Sequence, residues 1–492
     1  MKRYLSQAGA ASKLILLIGI LMLVPLCVLP FYPEESVYAP AFLITAGLSI
    51  LTGLIAGGIN QIRNEKEENN YSIRKSSVTV LAAWGFGFLS GAVPFVLGRQ
   101  LNVVQALFES VSGWTTTGLS AMDVAAVPHI YLFYRSFMQF CGGLGFVLMM
   151  IVFVEEKESM KLYNAEGHPD KLMPSLKKTA RIITAMYLAF LAGGTLLYRI
   201  CGVNFFEGIN HAMCALSTGG FSTRPDSIGA FGSFPVELVT VVLMLIGTTN
   251  FAVLLLLARK KIRQILKVSE ERFLVVLLLS FVPLMAVALM AGLGQSLGAS
   301  FQNALFNAVS ALSTSGFSTM SYADWPQSTV GIMILLMLIG GGIGSTAGGI
   351  KLTRVYLAVK VCAENIKSRL SSQRRVTSPF YRTAHGKQLI DSQLFTQTAV
   401  YILTYLSIFC TGAFLLTITA GCSLGEAMFE FASALGTVGL SIGLTGPATG
   451  SAALLVEIAG MILGRLEIFI VFIGICSLFH SGRNFFFKRK RL

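Results

Sequence analysis

Charged residues are scarce in this chain. Asp, Glu, Lys and Arg make up 13% of its 492 residues, against 54% hydrophobic residues, and the mean hydropathy is +0.70. Soluble domains carry roughly a quarter charged residues, so a chain of two or three ordinary water-soluble domains is excluded. The eight cysteines are scattered with no Cys-x-x-Cys pair, which indicates neither a disulfide framework nor a zinc site. Histidine is represented by five dispersed residues. No ATPase motif is present, and the glycine-rich stretch at 340–351 fails as a phosphate loop because Ile350 precedes Lys351. Lys2 and Arg3 precede an apolar run as in a secretory leader, but no small-residue cleavage site follows. That run is therefore expected to be the first span.

Long apolar runs are abundant. Stretches such as 14–28, 236–257, 273–290 and 453–479 suffice, alone or with flanks, to cross roughly 30 Å of hydrocarbon. The net charge of +14 is not spread evenly. Basic residues gather in alternate loops: Arg63, Lys66, Arg74 and Lys75; Lys157, Lys161, Lys171, Lys177 and Lys178; Arg259–Arg263; 351–387; and the tail from Arg483 to Arg491. This is the positive-inside pattern, and it places both termini in the cytoplasm. It disfavours nucleic acid as a partner.

The expected architecture is all-α and membrane-integral. Ten spans are placed near 14–32, 38–62, 76–98, 128–154, 179–200, 235–258, 271–293, 327–364, 394–420 and 450–480. Four of the intervening gaps hold about a dozen semi-apolar residues, at 101–114, 205–216, 301–312 and 424–435. Such stretches are too short to span and too apolar for open loops, which suits re-entrant half-helices. The unit span–half-helix–loop–span thus recurs four times after an initial two-span hairpin. The boundaries are 1–70 for the hairpin, then 71–160, 161–265, 266–385 and 386–492 for the four repeats.

Each half-helix is followed by Thr-x-Gly-(Leu/Phe)-Ser. The copies are Thr116-Thr117-Gly118-Leu119-Ser120, Thr218-Gly219-Gly220-Phe221-Ser222, Thr314-Ser315-Gly316-Phe317-Ser318 and Thr437-Val438-Gly439-Leu440-Ser441. Nine residues before each glycine stands Glu109, His211, Asn307 or Glu430. A fifth match, Thr45-Ala46-Gly47-Leu48-Ser49, lies inside one continuous apolar run and is set aside as fortuitous. Dehydrated K⁺ needs several oxygen ligands, and backbone carbonyls on an extended loop supply them. Glycine reaches the φ/ψ regions that such a loop requires, and threonine hydroxyls add ligands or pin the loop. The C-terminal ends of four half-helices would also favour a cation. The alternative is that these glycines serve only close helix crossings.

Residues 340–349 contain six glycines: Gly340, Gly341, Gly342, Gly344, Gly348 and Gly349, interrupted by Ser345 and Thr346. Each costs a helix about 1 kcal/mol relative to Ala, so a helix broken mid-membrane is expected, as a movable constriction or as a packing seam. Gly464-Arg465-Leu466-Glu467 sets two charges in an apolar run. Ionisable residues at that depth face a partner or a water path. Arg465 either pairs with Glu467 or Glu457, or projects toward the ion path as an electrostatic barrier. Arg135 and Glu109 read as anchors for half-helices.

Together the four loops, the glycine break at 340–351 and Gly-Arg-Leu-Glu at 464–467 resemble the TrkH/KtrB superfamily of K⁺ uptake proteins over nearly the whole chain. The initial hairpin points to the TrkH branch. The resemblance implies a homodimer with one pore per protomer, gated by a cytosolic ring of TrkA-type subunits that carry the nucleotide (ATP/ADP or NAD), with no cofactor in this chain. It implies that 340–349 is the gating loop and that Arg465 contacts it. Gly118 matches the K⁺-type pattern; serine there accompanies Na⁺ permeation in related plant transporters. Rb⁺ is expected to permeate. The location implied is a bacterial inner membrane, with lipid or the ring facing the basic loops at 155–181 and 351–390. Remaining alternatives are a KdpA-like subunit of an ATP-driven pump, a KtrB-type Na⁺-dependent transporter, and a membrane-embedded enzyme, which the symmetric spread of polar residues disfavours. The residues leave open whether transport is passive or coupled to H⁺ or Na⁺.

Overall fold

The structure, a computed structural model, describes residues 10–63, 73–145, 176–370 and 379–477. Lys66, Lys157, Lys161, Lys171 and the basic tail lie outside the described residues, as do 146–154 of the fourth expected span.

Six helical stretches are continuous and apolar enough to cross a membrane: Ala11–Val28, Pro33–Gly58, Ser77–Leu97, Ala180–Ile200, Ser269–Leu293 and Ser392–Ala420. They coincide with six of the expected spans to within a few residues. The fortuitous motif at 45–49 sits inside the helix Ala39–Arg63, and a Cβ on Gly47 would meet nothing within 4 Å.

The spans expected at 235–258 and 450–480 are not straight. Phe234–Thr248 turns by 112° into Phe251–Ala258, and Ser451–Arg465 by 103° into Ile468–Ser477. The helix Phe234–Thr248 has 15 residues, so it rises only roughly 22 Å. The first break persists because its freed backbone groups find partners. Thr248 O accepts from Gly342 N at 3.1 Å, and Phe251 N donates to Gly344 O at 3.1 Å. Asn250 caps the second piece through Ala252 N at 2.7 Å. Irregular backbone at membrane depth is tolerated where protein satisfies it in this way. The third such helix is broken as expected, into Gln327–Ile339 and Leu352–Arg369.

A second departure is a two-stranded antiparallel hairpin, Phe380–Thr383 with Gly386–Leu389, which pairs Phe380 with Leu389. The all-α expectation fails there because a tight turn with Gly386 at φ +131° closes two short extended segments next to the helix Ser269–Leu293. Arg382 N donates to Ser269 Oγ at 3.0 Å.

Four short helices lie at the centre: Val103–Trp114, Phe205–Leu216, Leu297–Leu312 and Leu424–Leu435. Each begins at a side-chain cap: Asn102, Asn204, Ser296 or Ser423. These caps satisfy otherwise orphaned N–H groups. The third helix begins at Leu297, not 301, because Ser296 is its cap. The early hairpin is tied to this centre by Glu35, whose carboxylate accepts from His129 N at 2.7 Å and Ile130 N at 2.8 Å. A carboxylate at the N-terminus of the helix His129–Leu144 also opposes the helix dipole favourably.

Candidate functional site

All four short helices end in the same way, and the manner of ending builds the loops. In the first, Thr117 N donates to Ser112 O at 2.9 Å and Thr116 N to Gly113 O at 3.1 Å. The equivalent pairs are Gly219 N to Cys214 O, Ser315 N to Ser310 O and Val438 N to Ser433 O, with Thr218, Thr314 and Thr437 in the place of Thr116. This is the Schellman ending, which needs a left-handed residue just past the helix and ordinarily takes glycine. Here threonine fills it every time, at φ +56°, +53°, +54° and +49° for Thr116, Thr218, Thr314 and Thr437. A β-branched residue in that conformation is strained, and such strain concentrates at functional sites.

Two residues on, the chain again takes positive φ, at Gly118, Gly220, Gly316 and Gly439. A Cβ on Gly118 would collide with Gly219 O, on Gly220 with Ser315 O, on Gly316 with Val438 O, and on Gly439 with Thr117 O. The four contacts run from first loop to second, third, fourth and back to first, so the loops close a ring. On the side of Ser120 and Ser441 the glycines floor an open cavity of about 700 Å³, lined also by Asp123, Arg224 and Asp226.

The polar residue nine before each glycine braces the chain beyond the loop. Glu109 accepts from Ser120 Oγ at 3.1 Å and Ala121 N at 3.1 Å. His211 Nε2 lies 3.1 Å from Ser222 Oγ, and Asn307 Nδ2 donates to Thr319 Oγ1 at 2.9 Å. Glu430 accepts from Ser441 Oγ at 2.6 Å, Ile442 N at 3.1 Å and Thr445 N at 2.9 Å.

Several braces were not singled out in the sequence. Ser112 Oγ donates to Leu119 O and accepts from Gly118 N; Ser310 Oγ donates to Phe317 O; Ser433 Oγ accepts from Gly439 N at 3.0 Å. Each serine stands six residues before its glycine, so the alignment of repeats contained the signal. Gln139 had none: its amide donates to Gly219 O at 2.6 Å and accepts from Phe221 N at 3.0 Å.

Glu109 and Arg135 form an ion pair with Nε–Oε1 at 2.5 Å, both side chains almost fully buried. Removing one partner of a buried pair costs about 3–5 kcal/mol, because the other charge is left uncompensated. Arg135→Gln is therefore expected to lower the thermal midpoint in detergent markedly, and Glu109→Gln/Arg135→Gln to recover part of the loss. Equal midpoints for the single variant and the parent would contradict this role.

The glycine segment lies against the opposite side of the ring. Gly348 N donates to Thr314 Oγ1 at 2.8 Å, and Thr346 Oγ1 lies 3.1 Å from Thr218 Oγ1. A Cβ on Gly348 would strike Thr437 Oγ1. The hydroxyls of Thr116 and Thr437 are buried with no hydrogen-bond partner among the described residues. The segment is held from several elements. Thr346 Oγ1 donates to Gly247 O at 2.9 Å, Ile343 N donates to Glu270 Oε1 at 2.8 Å, and Gly341 and Gly349 line the turn around Gly340. Ser345 Oγ closes onto Gly342 O at 2.7 Å.

Arg465 reaches two carbonyls, Thr346 O at 2.7 Å and Gly142 O at 2.5 Å. Glu467 instead pairs with Arg354 at 3.0 Å, and Glu457 accepts from Thr445 Oγ1 at 2.9 Å. A cavity of about 40 Å³ lies beside Arg465, Lys351 and Gly348, room for a few water molecules at most.

The chain is 31% identical over 480 residues to the Trk system potassium uptake protein TrkG of Escherichia coli K12, covering 95% of this chain and 96% of that protein. It is 28% identical over 442 residues to the Trk system potassium uptake protein TrkH of Vibrio parahaemolyticus, covering 87% of this chain and 90% of that one. Its fold superposes on the crystal structure of the potassium transporter TrkH from Vibrio parahaemolyticus with a TM-score of 0.82 and 25% identity, over 96% of this chain and 98% of that one. Residues 48–486 match the TrkH family of cation transport proteins, and the chain belongs to that family.

Proposed function

We propose that this chain carries K⁺, and Rb⁺ as its surrogate, across a bacterial cytoplasmic membrane along the axis enclosed by the four Thr-x-Gly loops. The observation that carries the reading is the ring of equivalent contacts: four strained threonines, then four left-handed glycines, each against a carbonyl of the next loop. Such a ring sets carbonyls of Thr117, Gly219, Ser315 and Val438 around one axis, the chemistry that replaces the hydration shell of K⁺. The unpartnered hydroxyls of Thr116 and Thr437 are the natural further ligands. The carbonyls of Leu119 and Phe317 accept from Ser112 Oγ and Ser310 Oγ, as that of Gly219 accepts from Gln139, and these bonds hold the loops in shape.

In this reading the arrangement is closed. Gly340–Gly349 is the gate, seated on Thr218 and Thr314, and Arg465 pins it through the carbonyl of Thr346. Its cationic head also opposes K⁺ at the constriction. Opening lifts the segment away, driven by a homodimer and a cytosolic TrkA-type ring whose nucleotide supplies the signal. The termini are cytoplasmic, and the basic loops meet that ring or anionic lipid. The family and the early hairpin favour this reading over a KdpA-like or KtrB-type one, and it includes no catalytic step.

Flux of radioactive Rb⁺ into proteoliposomes, with K⁺, Na⁺ or Li⁺ as competitor, tests it. Competition by K⁺ and not by Na⁺ is expected, with a TrkA-type partner and nucleotide added to open the gate. Flux insensitive to K⁺ under those conditions would overturn it.

A further inference from the structure

The first and fourth repeats both carry a glutamate nine residues before the loop glycine, Glu109 and Glu430, but differ in what faces it. Gly142 and Gly464 occupy equivalent places, since a Cβ on either would collide with the last carbonyl of its short helix, Trp114 O or Leu435 O. Seven residues before them stand Arg135 and Glu457. In the first repeat this position faces Glu109 and completes an ion pair. In the fourth repeat the corresponding couple is Glu430 and Glu457, a carboxylate beside a carboxylate.

Both are fully buried. They meet at Thr445, whose N–H donates to Glu430 Oε1 and whose hydroxyl donates to Glu457 Oε1, both at 2.9 Å. Glu430 accepts two further donors, Ser441 Oγ and Ile442 N, and is well suited to carry charge. Glu457 Oε2 is buried and receives no donor among the described residues. Among the described residues no cation faces the pair from the elements packed there, and Arg465, on Glu457's own helix, is engaged with Thr346 O and Gly142 O. The helix Val103–Trp114 carries only Glu109, already matched by Arg135; Leu424–Leu435 carries Glu426 and Glu430; Ser392–Ala420 carries no charged residue, only Tyr401, Tyr405 and Cys410 as titratable groups. The loop 439–450 has no charge, and Cys422 precedes the short helix. Two adjacent carboxylates removed from water cannot both stay ionised.

We infer that Glu430 and Glu457 form a proton-binding site that holds one proton, on Glu457, and exchanges it with the open cavity past Thr445, which lines that cavity. The step is simple acid dissociation: the Glu457 O–H bond breaks, its electron pair stays on the carboxylate, and the proton passes to water. Loss of the proton sets two anions against each other behind the fourth loop, and their repulsion pulls apart the two carboxylates that Thr445 bridges. K⁺ preference over Na⁺ then falls as pH rises. This last consequence rests on the transport reading above; the proton site does not.

Infrared difference spectroscopy of the purified full chain between about pH 7 and pH 10, a window in which ordinary carboxyls stay ionised, tests the site without any transport. The wild type is expected to show the carbonyl stretch of a neutral carboxylic acid, shifted in heavy water and lost at high pH. Glu457→Gln and Glu457→Arg are expected to lack that signal, the second by recreating the acid–base pair of the first repeat. Circular dichroism confirms that each variant is folded. A wild-type band left undiminished in folded Glu457→Gln, or the absence of any such band from the wild type, overturns the site. Rb⁺ flux with Na⁺ as competitor is expected to be pH-dependent in the wild type and flat in Glu457→Gln. Equal pH profiles in the two overturn the effect on selectivity. An infrared signal that behaves as expected, in a protein that passes no Rb⁺ even with a TrkA-type partner and nucleotide added, leaves the proton site standing and removes the transport reading instead.

Discussion

Gly118→Ser is expected to lower the preference for K⁺ over Na⁺ by roughly tenfold, the equivalent of about 1.4 kcal/mol, while the protein stays folded. Gly118 has φ +99°, a region that side chains of L-residues avoid. Its Cβ would run into the carbonyl oxygen of Gly219. That carbonyl cannot yield freely, because Gln139 Nε2 holds it at 2.6 Å. Either the first loop relaxes away from the axis or the second does, and in both cases the ring of oxygens loses its spacing. Strain of this kind costs about 1–3 kcal/mol, enough to account for the expected change. A control is available in the same sequence. Gly47→Ser falls in the fortuitous motif, where a Cβ meets nothing within 4 Å, and is expected to leave selectivity unchanged. Competition of Rb⁺ flux by K⁺ and Na⁺ measures both, and equal behaviour of the two variants would remove the loops from the ion path.

Arg465→Gln is expected to raise Rb⁺ flux in the absence of any partner by at least about tenfold. The guanidinium makes charge-assisted hydrogen bonds to Thr346 O and Gly142 O, and bonds to charged groups contribute about 1.5–3 kcal/mol each. Losing them frees the glycine segment on the side facing Gly142 and removes a positive charge from the small cavity beside Lys351. Both effects act in the same direction, toward an open path. Arg465→Lys keeps the charge but not the forked geometry, so its flux should fall between the other two. Reduced or unchanged flux in Arg465→Gln would show that the arginine does not hold the pathway shut.

Much of this arrangement was legible in the sequence because repetition multiplies weak signals. One Thr-x-Gly motif means little, as residues 45–49 demonstrate by lying in plain helix. Four copies, each nine residues after a polar position and each behind a short apolar stretch, could be aligned without structure. The break at Gly340 was visible for a related reason, since six glycines outweigh helical propensity locally. The bend at Thr248–Asn250 was not visible. Hydropathy averages over Gly247-Thr248-Thr249-Asn250 without registering that the break is stabilised by backbone of residues 342–344, a contact nearly a hundred residues away. Gln139 was missed for the same reason: a polar residue on an apolar helix is informative only once its partner, the second loop, is in place. The caps at Asn102, Asn204, Ser296 and Ser423 were there to be read, and they fix the helix starts better than hydropathy does. The hairpin at 380–389 follows from turn chemistry around Gly386 that a search for spans passes over.

The most direct test of the central claim is to locate the ion. Crystals grown with Rb⁺ in place of K⁺, measured near the rubidium absorption edge, are expected to give anomalous density on the axis among Thr117, Gly219, Ser315 and Val438, flanked by the hydroxyls of Thr116 and Thr437. Density bound elsewhere in the protein, with that axis empty at saturating Rb⁺, would contradict the account.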